Sequence, residues 1–177
     1  MSYLTFEYLD QNQTEYRSRS LLNEINNVTY AKTAKQKVFL SHKHDENTTL
    51  ITQVRGFFLS LDAELYIDWM DEDMPRVTNP ETAQILKTRI ASMSKFVLLA
   101  TPGSIESIWI PWELGIADKT KGLSNIAILP VIHSGSIWER REYYGLYSRI
   151  EKIGDEWKVI EPKYSAYGVD LLTWLKS

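Results

Sequence analysis

Two uninterrupted apolar segments constrain the fold of this chain more than any other feature of its sequence. Lys95–Ala100 and Asn125–Ile132 each place several aliphatic residues side by side, without the polar alternation of a half-buried strand. Runs of this kind are typical of strands that are buried on both faces of a parallel sheet. Because each face of such a strand needs a cover, the sequence predicts an α/β domain with helices on both sides of the sheet.

Shorter strand and helix patterns alternate around these two segments. They predict strands at Lys37–Ser41 and Glu64–Asp68, and helices at Asn47–Leu61, at Glu81–Ser92 and from about Ser107 to Thr120. Such alternation is typical of a parallel sheet, in which ligands bind beyond the carboxyl ends of the strands. We therefore expect the functional site at the edge of the sheet where Ser41, Asp68 and Ala100 end their strands.

The two ends of the chain depart from this alternation. Residues 1–36 are polar and lack a clear strand, although Glu15–Ile25 has a helix pattern. We expect these residues to form a partly helical N-terminal extension, followed by one domain over residues 37–177. Tyr147–Ile160 alternates around Gly154-Asp155, which predicts a β-hairpin, and a short helix is expected near the C-terminus.

The composition narrows the functional classes. The net charge is −3 and no long basic run occurs, so we expect no nucleic-acid partner. The sequence holds no cysteine, which rules out disulfides and thiol catalysis. The first residues are acidic, unlike a signal peptide, and no apolar run is long enough to span a bilayer. These features predict a cytoplasmic protein without a membrane partner.

A tryptophan and a glutamate one helical turn apart form the most informative motif. Trp109 and Glu113 are four residues apart and should share a helix face. Pro111 must lie in a first turn, so the helix should begin near Ser107 and place Glu113 close to its positive end, which favours the ionised carboxylate. A carboxylate beside an indole suits a flat, cationic, sugar-linked ligand. The alternative is an amphipathic helix with core tryptophans and a solvated glutamate.

Other candidate sites have weaker patterns. His42, His44 and Asp45 lack a third cluster of metal ligands, and the acidic loop at Asp68–Asp73 lacks EF-hand spacing. The sequence holds no G-x-S-x-G, G-x-G-x-x-G or P-loop motif. We therefore expect neither a bound metal nor a resident cofactor.

In this order, the motifs resemble the TIR (Toll/interleukin-1 receptor) family from about Lys37 to Val131. The segment Val38–Ser41 with its following loop is similar to the first TIR strand, and Tyr66–Trp69 with its acidic loop is similar to the second strand and BB loop. The most diagnostic similarity is Ser104-x-x-Ser107-x-Trp109-x-x-x-Glu113-Leu114. Two positions depart from the family: Ile110 often corresponds to a cysteine, and Arg76 follows Pro75 where a glycine is common.

The resemblance implies a flavodoxin-like fold with a C-terminal hairpin, as in stand-alone bacterial TIR proteins. It also implies cleavage of NAD, as substrate, at the nicotinamide–ribose bond, giving ADP-ribose or a cyclic isomer. Glu113 matches the catalytic glutamate and Trp109 an aromatic near nicotinamide. The residues expected to line the NAD site are Ser41, His42, Asp45, Asp68, Trp69, Ser107 and Trp109.

The family further implies activation by self-association into a homo-oligomer. Because no sensor domain is evident in the sequence, we expect a separate sensor or effector protein, in bacterial anti-phage defence. Two alternatives stay open: a non-catalytic TIR interaction module, and an enzyme similar to nucleoside deoxyribosyltransferases, which also uses a glutamate at a sugar.

Overall fold

A mostly parallel sheet forms the centre of the computed structural model, which describes residues 2–18, 36–75, 79–138, 142–164 and 167–177. Within these residues the sheet has eight strands, in the order β3-β2-β4-β5-β6-β7-β8, with β1 added beside β5. The strands are β1 (Leu4–Thr5), β2 (Gln36–Ser41), β3 (Ala63–Tyr66), β4 (Lys95–Ala100), β5 (Ile126–Ile132), β6 (Ser148–Ile153), β7 (Glu156–Ile160) and β8 (Gly168–Asp170).

The helices cover both faces of this sheet, as the sequence predicted. They are α1 (Phe6–Gln11), α2 (Thr48–Ser60), α3 (Pro80–Ser92), α4 (Trp109–Lys121) and α5 (Leu171–Lys176). Successive side chains of a strand point to opposite faces, so Leu98 of β4 packs with α3 and α4 while Val97 and Leu99 pack with α1, α2 and α5. The fold is therefore a flavodoxin-like α/β arrangement, as expected from the sequence.

The central strands pair in parallel, as the sequence predicted. β2 pairs with both β3 and β4, β4 pairs with β5, and β5 pairs with β6, all in parallel. Every residue of β4 and β5 is buried, which explains their continuous apolar sequences. The carboxyl ends of β2, β3 and β4 consequently lie at one edge of the sheet.

The N-terminal segment differs from the sequence prediction. Where no strand was expected, Leu4–Thr5 forms β1 and pairs in parallel with Val131–Ile132 of β5. Leu4 and Leu9 are fully buried in the same core as α2, and Gln53 of α2 donates a hydrogen bond to Asp10 (3.0 Å). The expected boundary at residue 36 therefore does not separate residues 2–18 from the domain, because their side chains complete its core.

The predicted helix at Glu15–Ile25 is observed only in part. The structure shows helix over residues 13–18, and residues 19–35 lie outside the described part of the chain. The predicted hairpin is present: β6 and β7 pair antiparallel around Gly154, whose φ of 61° suits a glycine. β8, which the sequence did not predict, extends this hairpin antiparallel to β7.

Among the residues that the structure describes, no helix is both long enough and apolar enough to cross a bilayer.

Candidate active site

Glu113 lies in the second turn of α4, with only 6% of its surface exposed. The helix begins one residue later than the sequence predicted, because the N-cap is Ile108 rather than Ser107. Ser107 still stabilises the first turn, since its Oγ accepts a hydrogen bond from the Ile110 N–H at 3.3 Å. Pro111 falls within this turn, where its missing N–H costs nothing. The glutamate therefore points from the helix into the protein and not into solvent.

The Glu113 carboxylate meets the end of the neighbouring strand β2. Ser41, the last residue of β2, donates a hydrogen bond from its Oγ to Glu113 Oε2 at 2.5 Å. Ser41 is itself buried, with 1% exposure. The structure thus joins two of the predicted site residues at the carboxyl edge of the sheet.

Burial sets the protonation state of this glutamate. Loss of solvent raises the pKa of Glu113 to about 8; the hydrogen bond from Ser41 opposes this shift, and the negative charge of Asp68 adds to it. This shift runs opposite to the expectation that the helix N-terminus favours the ionised carboxylate. The cause is burial, because the carboxylate lies beneath the surface.

A histidine and a second carboxylate lie beside this pair. His42 follows Ser41 directly and is 7% exposed, and its Nε2 lies 3.6 Å from Oδ1 of Asp68. Burial lowers the pKa of His42, while the charges of Asp68 and Glu46 oppose the shift. Asp68 comes two residues after β3, in a short 3-10 turn, and its Oδ1 also accepts the backbone N–H of Trp69 at 2.8 Å.

The remaining predicted site residues are more exposed. Trp109 is half-buried against the α3–α4 side of the core and packs edge-to-face on Trp112, with ring centroids 5.2 Å apart. Trp69 is 50% exposed. The carboxylate of Asp45 is largely solvated and lies 3.3 Å from Lys43 Nζ. Among the predicted residues, Ser41, His42, Asp68 and Glu113 thus form a connected cluster, which Asp45 does not join through any contact of the described residues.

Two residues that the sequence did not indicate as functional hold the loop carrying His42 in place. Thr101 Oγ1 donates a hydrogen bond to Glu46 at 2.7 Å, which ties this loop to the end of β4. Thr101 could have been recognised from the sequence, because it directly follows the apolar run of β4, at a predicted strand end. Glu46 gave no signal, because its partner is 55 residues away in the sequence.

The acidic loop after β3 is organised by an arginine. Asp71 accepts hydrogen bonds from Tyr66 Oη (2.6 Å) and from Arg89 Nε (2.8 Å), and Arg89 also reaches Asp73 (2.7 Å). These residues line a cleft of about 520 Å³ along the β3 edge, which Glu113 does not line. No group of acidic and histidine residues within the described ranges could hold a metal ion.

Comparison with known proteins gives two relatives. The chain is 32% identical over 128 residues to the protein of Bacillus cereus (strain MSX-D12) named "Probable 3' cyclic ADP-D-ribose synthase ThsB'", covering 70% of this chain. It is also 32% identical over 131 residues, 65% of this chain, to "Putative cyclic ADP-D-ribose synthase TIR2" of Cytobacillus dafuensis. The chain spans 64% of the length of the first relative and 34% of the second.

No protein-family profile matches the chain. The evidence for its family is therefore the sheet, the Trp109–Glu113 motif and the similarity to both relatives. The strand–helix alternation predicted a parallel sheet, and in the structure Glu113 meets the carboxyl end of one of its strands. Both relatives are similar to most of this chain, which has the fold and the Trp109–Glu113 motif that its resemblance to the TIR domain family implies.

Proposed function

We propose that this protein cleaves NAD at the nicotinamide–ribose bond and forms a cyclic isomer of ADP-ribose. The observation that carries this proposal is the buried Glu113 carboxylate at the carboxyl edge of the sheet, bonded to Ser41. The names of the two relatives support the cyclic product. Water attacking the same intermediate would give ADP-ribose as a second product.

The chemistry needs one strong electrostatic group more than it needs an acid. The nicotinamide of NAD is a pyridinium cation and leaves as a neutral molecule, so the leaving group requires no proton. The sugar passes through an oxocarbenium-like transition state, as in glycoside hydrolysis. A carboxylate with little solvent around it can hold the ribose hydroxyls and offset this developing positive charge.

Substrate charge and enzyme charge fit each other in this proposal. The pKa of Glu113 is about 8 in the unliganded site because of burial. A bound pyridinium cation favours the ionised carboxylate, since opposite charges within a few ångströms stabilise each other. Trp109, half-buried at the start of the same helix, would hold the pyridinium ring by stacking and cation–π attraction.

We also propose that self-association activates the enzyme. Three apolar side chains lie exposed on the loops after β3 and before α4: Trp69 (50%), Met70 (38%) and Ile108 (83%). These loops follow the carboxyl ends of two parallel strands, and apolar side chains exposed there would be available for contact with another protein. A role in bacterial immune signalling, a separate effector or sensor, and a cytoplasmic setting complete the proposal.

The test is to incubate the purified protein with NAD at high protein concentration. Products are separated by chromatography and identified by mass spectrometry, which distinguishes nicotinamide, ADP-ribose and cyclic isomers. We expect nicotinamide release together with a cyclic product. Folded protein that releases no nicotinamide at any concentration would instead favour the non-catalytic interaction module.

A further inference from the structure

We infer that the His42–Asp68 pair is the acid/base unit of this site, in which His42 takes the proton from the hydroxyl that attacks the ribose. This inference rests on the proposed function and adds a second catalytic group to it. Hydroxyl nucleophiles must lose a proton as they bond to carbon, whether the hydroxyl belongs to water or to the substrate's other ribose. Glu113 alone leaves that proton without an assigned acceptor.

The fold brings the required groups together at two adjacent strand ends. His42 is the residue after β2 and Asp68 follows β3, and these strands are neighbours in the sheet. Ser41, next to His42 in the chain, bonds to Glu113, and the charge of Asp68 is close enough to raise the pKa of Glu113. Asp68 therefore lies near both the imidazole of His42 and the carboxylate that would bind the sugar.

The surroundings of His42 suit a base. Burial favours the neutral imidazole, which can accept a proton. Asp68 faces the ring from the loop after β3, and its Oδ1 lies 3.6 Å from Nε2 of His42. Its negative charge can stabilise the imidazolium that forms. Two residues of the same loop also affect the pKa of His42: the negative charge of Glu46 raises it, and His44 lowers it. A buried imidazole oriented by a carboxylate is a general arrangement for proton transfer.

The step balances as follows. The bond between the ribose C1 and the nicotinamide nitrogen breaks, and its electron pair leaves with neutral nicotinamide. The hydroxyl oxygen forms a new bond to the same carbon. Its proton passes to His42, and the imidazolium later releases that proton to solvent.

A nucleophile without a proton distinguishes this role from a structural one. The nitrogen of 3-acetylpyridine can replace nicotinamide with no proton to remove, so pyridine exchange needs Glu113 but not a base. We expect His42→Asn to lower the rate of formation of ADP-ribose plus cyclic product by about a hundredfold or more, the low side of a general base's contribution, while the exchange rate stays within about threefold. His133→Asn, an exposed histidine after β5 that pairs with Glu7, is the matched control and should leave both rates near wild type.

Asp68→Asn provides a second variant, because Asp68 is more exposed than His42 and its replacement keeps the shape. It should lower the ratio of hydroxyl products to exchange product in the same direction. Equal losses of both activities in both variants, or no loss in His42→Asn, would overturn the inference. A wild-type protein that neither cleaves nor exchanges NAD would overturn the proposed function and, with it, this inference.

Discussion

Replacement of Glu113 by glutamine separates the charge of this side chain from its shape. If the carboxylate offsets positive charge in the transition state, Glu113→Gln should lower nicotinamide release by at least about a hundredfold, the loss expected for one such group. Glu106→Gln is the matched control, because Glu106 is exposed on the loop before α4 and pairs with Lys43 rather than with a residue of the proposed site. Near wild-type turnover by folded Glu113→Gln would contradict the mechanism.

The same side chain gives the protein a measurable pH dependence of stability. The pKa of Glu113 is about 8 in the folded protein, against an ordinary value of 4.5. Between these values the folded state holds more protons than the unfolded state, so the free energy of unfolding falls as pH rises. Glu113→Gln should remove a slope of up to about 1.4 kcal/mol per pH unit.

Urea denaturation of both proteins at about pH 5.5 and about pH 7.5 measures this slope. The free energy of unfolding of Glu113→Gln, minus that of wild type, should be larger at about pH 7.5 than at about pH 5.5. An identical difference at both pH values would show that Glu113 is ionised throughout, contrary to its burial.

Trp109 can act on the ligand, on the core, or on both, and its neighbour Trp112 separates these roles. Both are half-buried against the same side of the core, but Trp112 lies against Lys87 of α3, 5.9 Å from its ring centroid. Trp109→Ala should raise the apparent KM for NAD, since losing pyridinium stacking costs roughly 0.5–2 kcal/mol. Trp109→Phe should keep part of the affinity.

Trp112→Ala should lower the melting temperature about as much as Trp109→Ala while leaving the KM unchanged. If Trp109→Ala also binds NAD normally wherever it is folded, the ligand role is rejected. Steady-state kinetics and thermal melts of the three variants together decide this.

The sequence predicted the position of the site residues better than their chemical state. A spacing of four residues placed Trp109 and Glu113 on one helix, and Ser41 and Asp68 were expected at strand ends because local patterns define strand ends. The protonation of Glu113 depends on how deeply α4 packs against β2, which no local pattern reports. For the same reason, the bond from Arg89 to Asp71 was not foreseen.

At the scale of elements, the helix over residues 13–18 packs closely on α2. A Cβ added at Gly56 of α2 would lie 2.2 Å from the backbone oxygen of Tyr16. Gly56→Ala should therefore destabilise the fold, because a backbone atom must move, even though alanine favours helices. Gly115→Ala on α4 meets open space and should stabilise by roughly 0.5–1 kcal/mol.

Thermal or urea unfolding of both variants measures this contrast. Stabilisation by both substitutions would mean that residues 13–18 do not pack against α2. It would favour the prediction that residues 1–36 form an extension outside the domain. The sequence did not reveal that the N-terminal segment belongs to the sheet, because β1 has two residues, too few to show a period. β4 and β5, in contrast, are long enough to be recognised.

At the scale of the whole molecule, proposed activation by self-association makes activity depend on concentration. The side chains of Trp69, Met70 and Ile108 are exposed and would be available for contacts in such an assembly. Specific activity should therefore rise with protein concentration and with crowding agents, and light scattering should show larger species over the same range. A flat activity profile from a monomer would contradict activation by assembly, although not NAD cleavage itself.

The pairing of β1 with β5 also orders events during synthesis. Leu4 has no partner strand until Val131 has left the ribosome, whereas β2, β3 and β4 can already pair with one another. Contacts so distant along the chain are slow to form, because the loop between them must first be closed. Among the described residues, the segment that is synthesised first therefore docks late. Its apolar side chains stay exposed to solvent, or bound to a chaperone, until β5 is available for pairing.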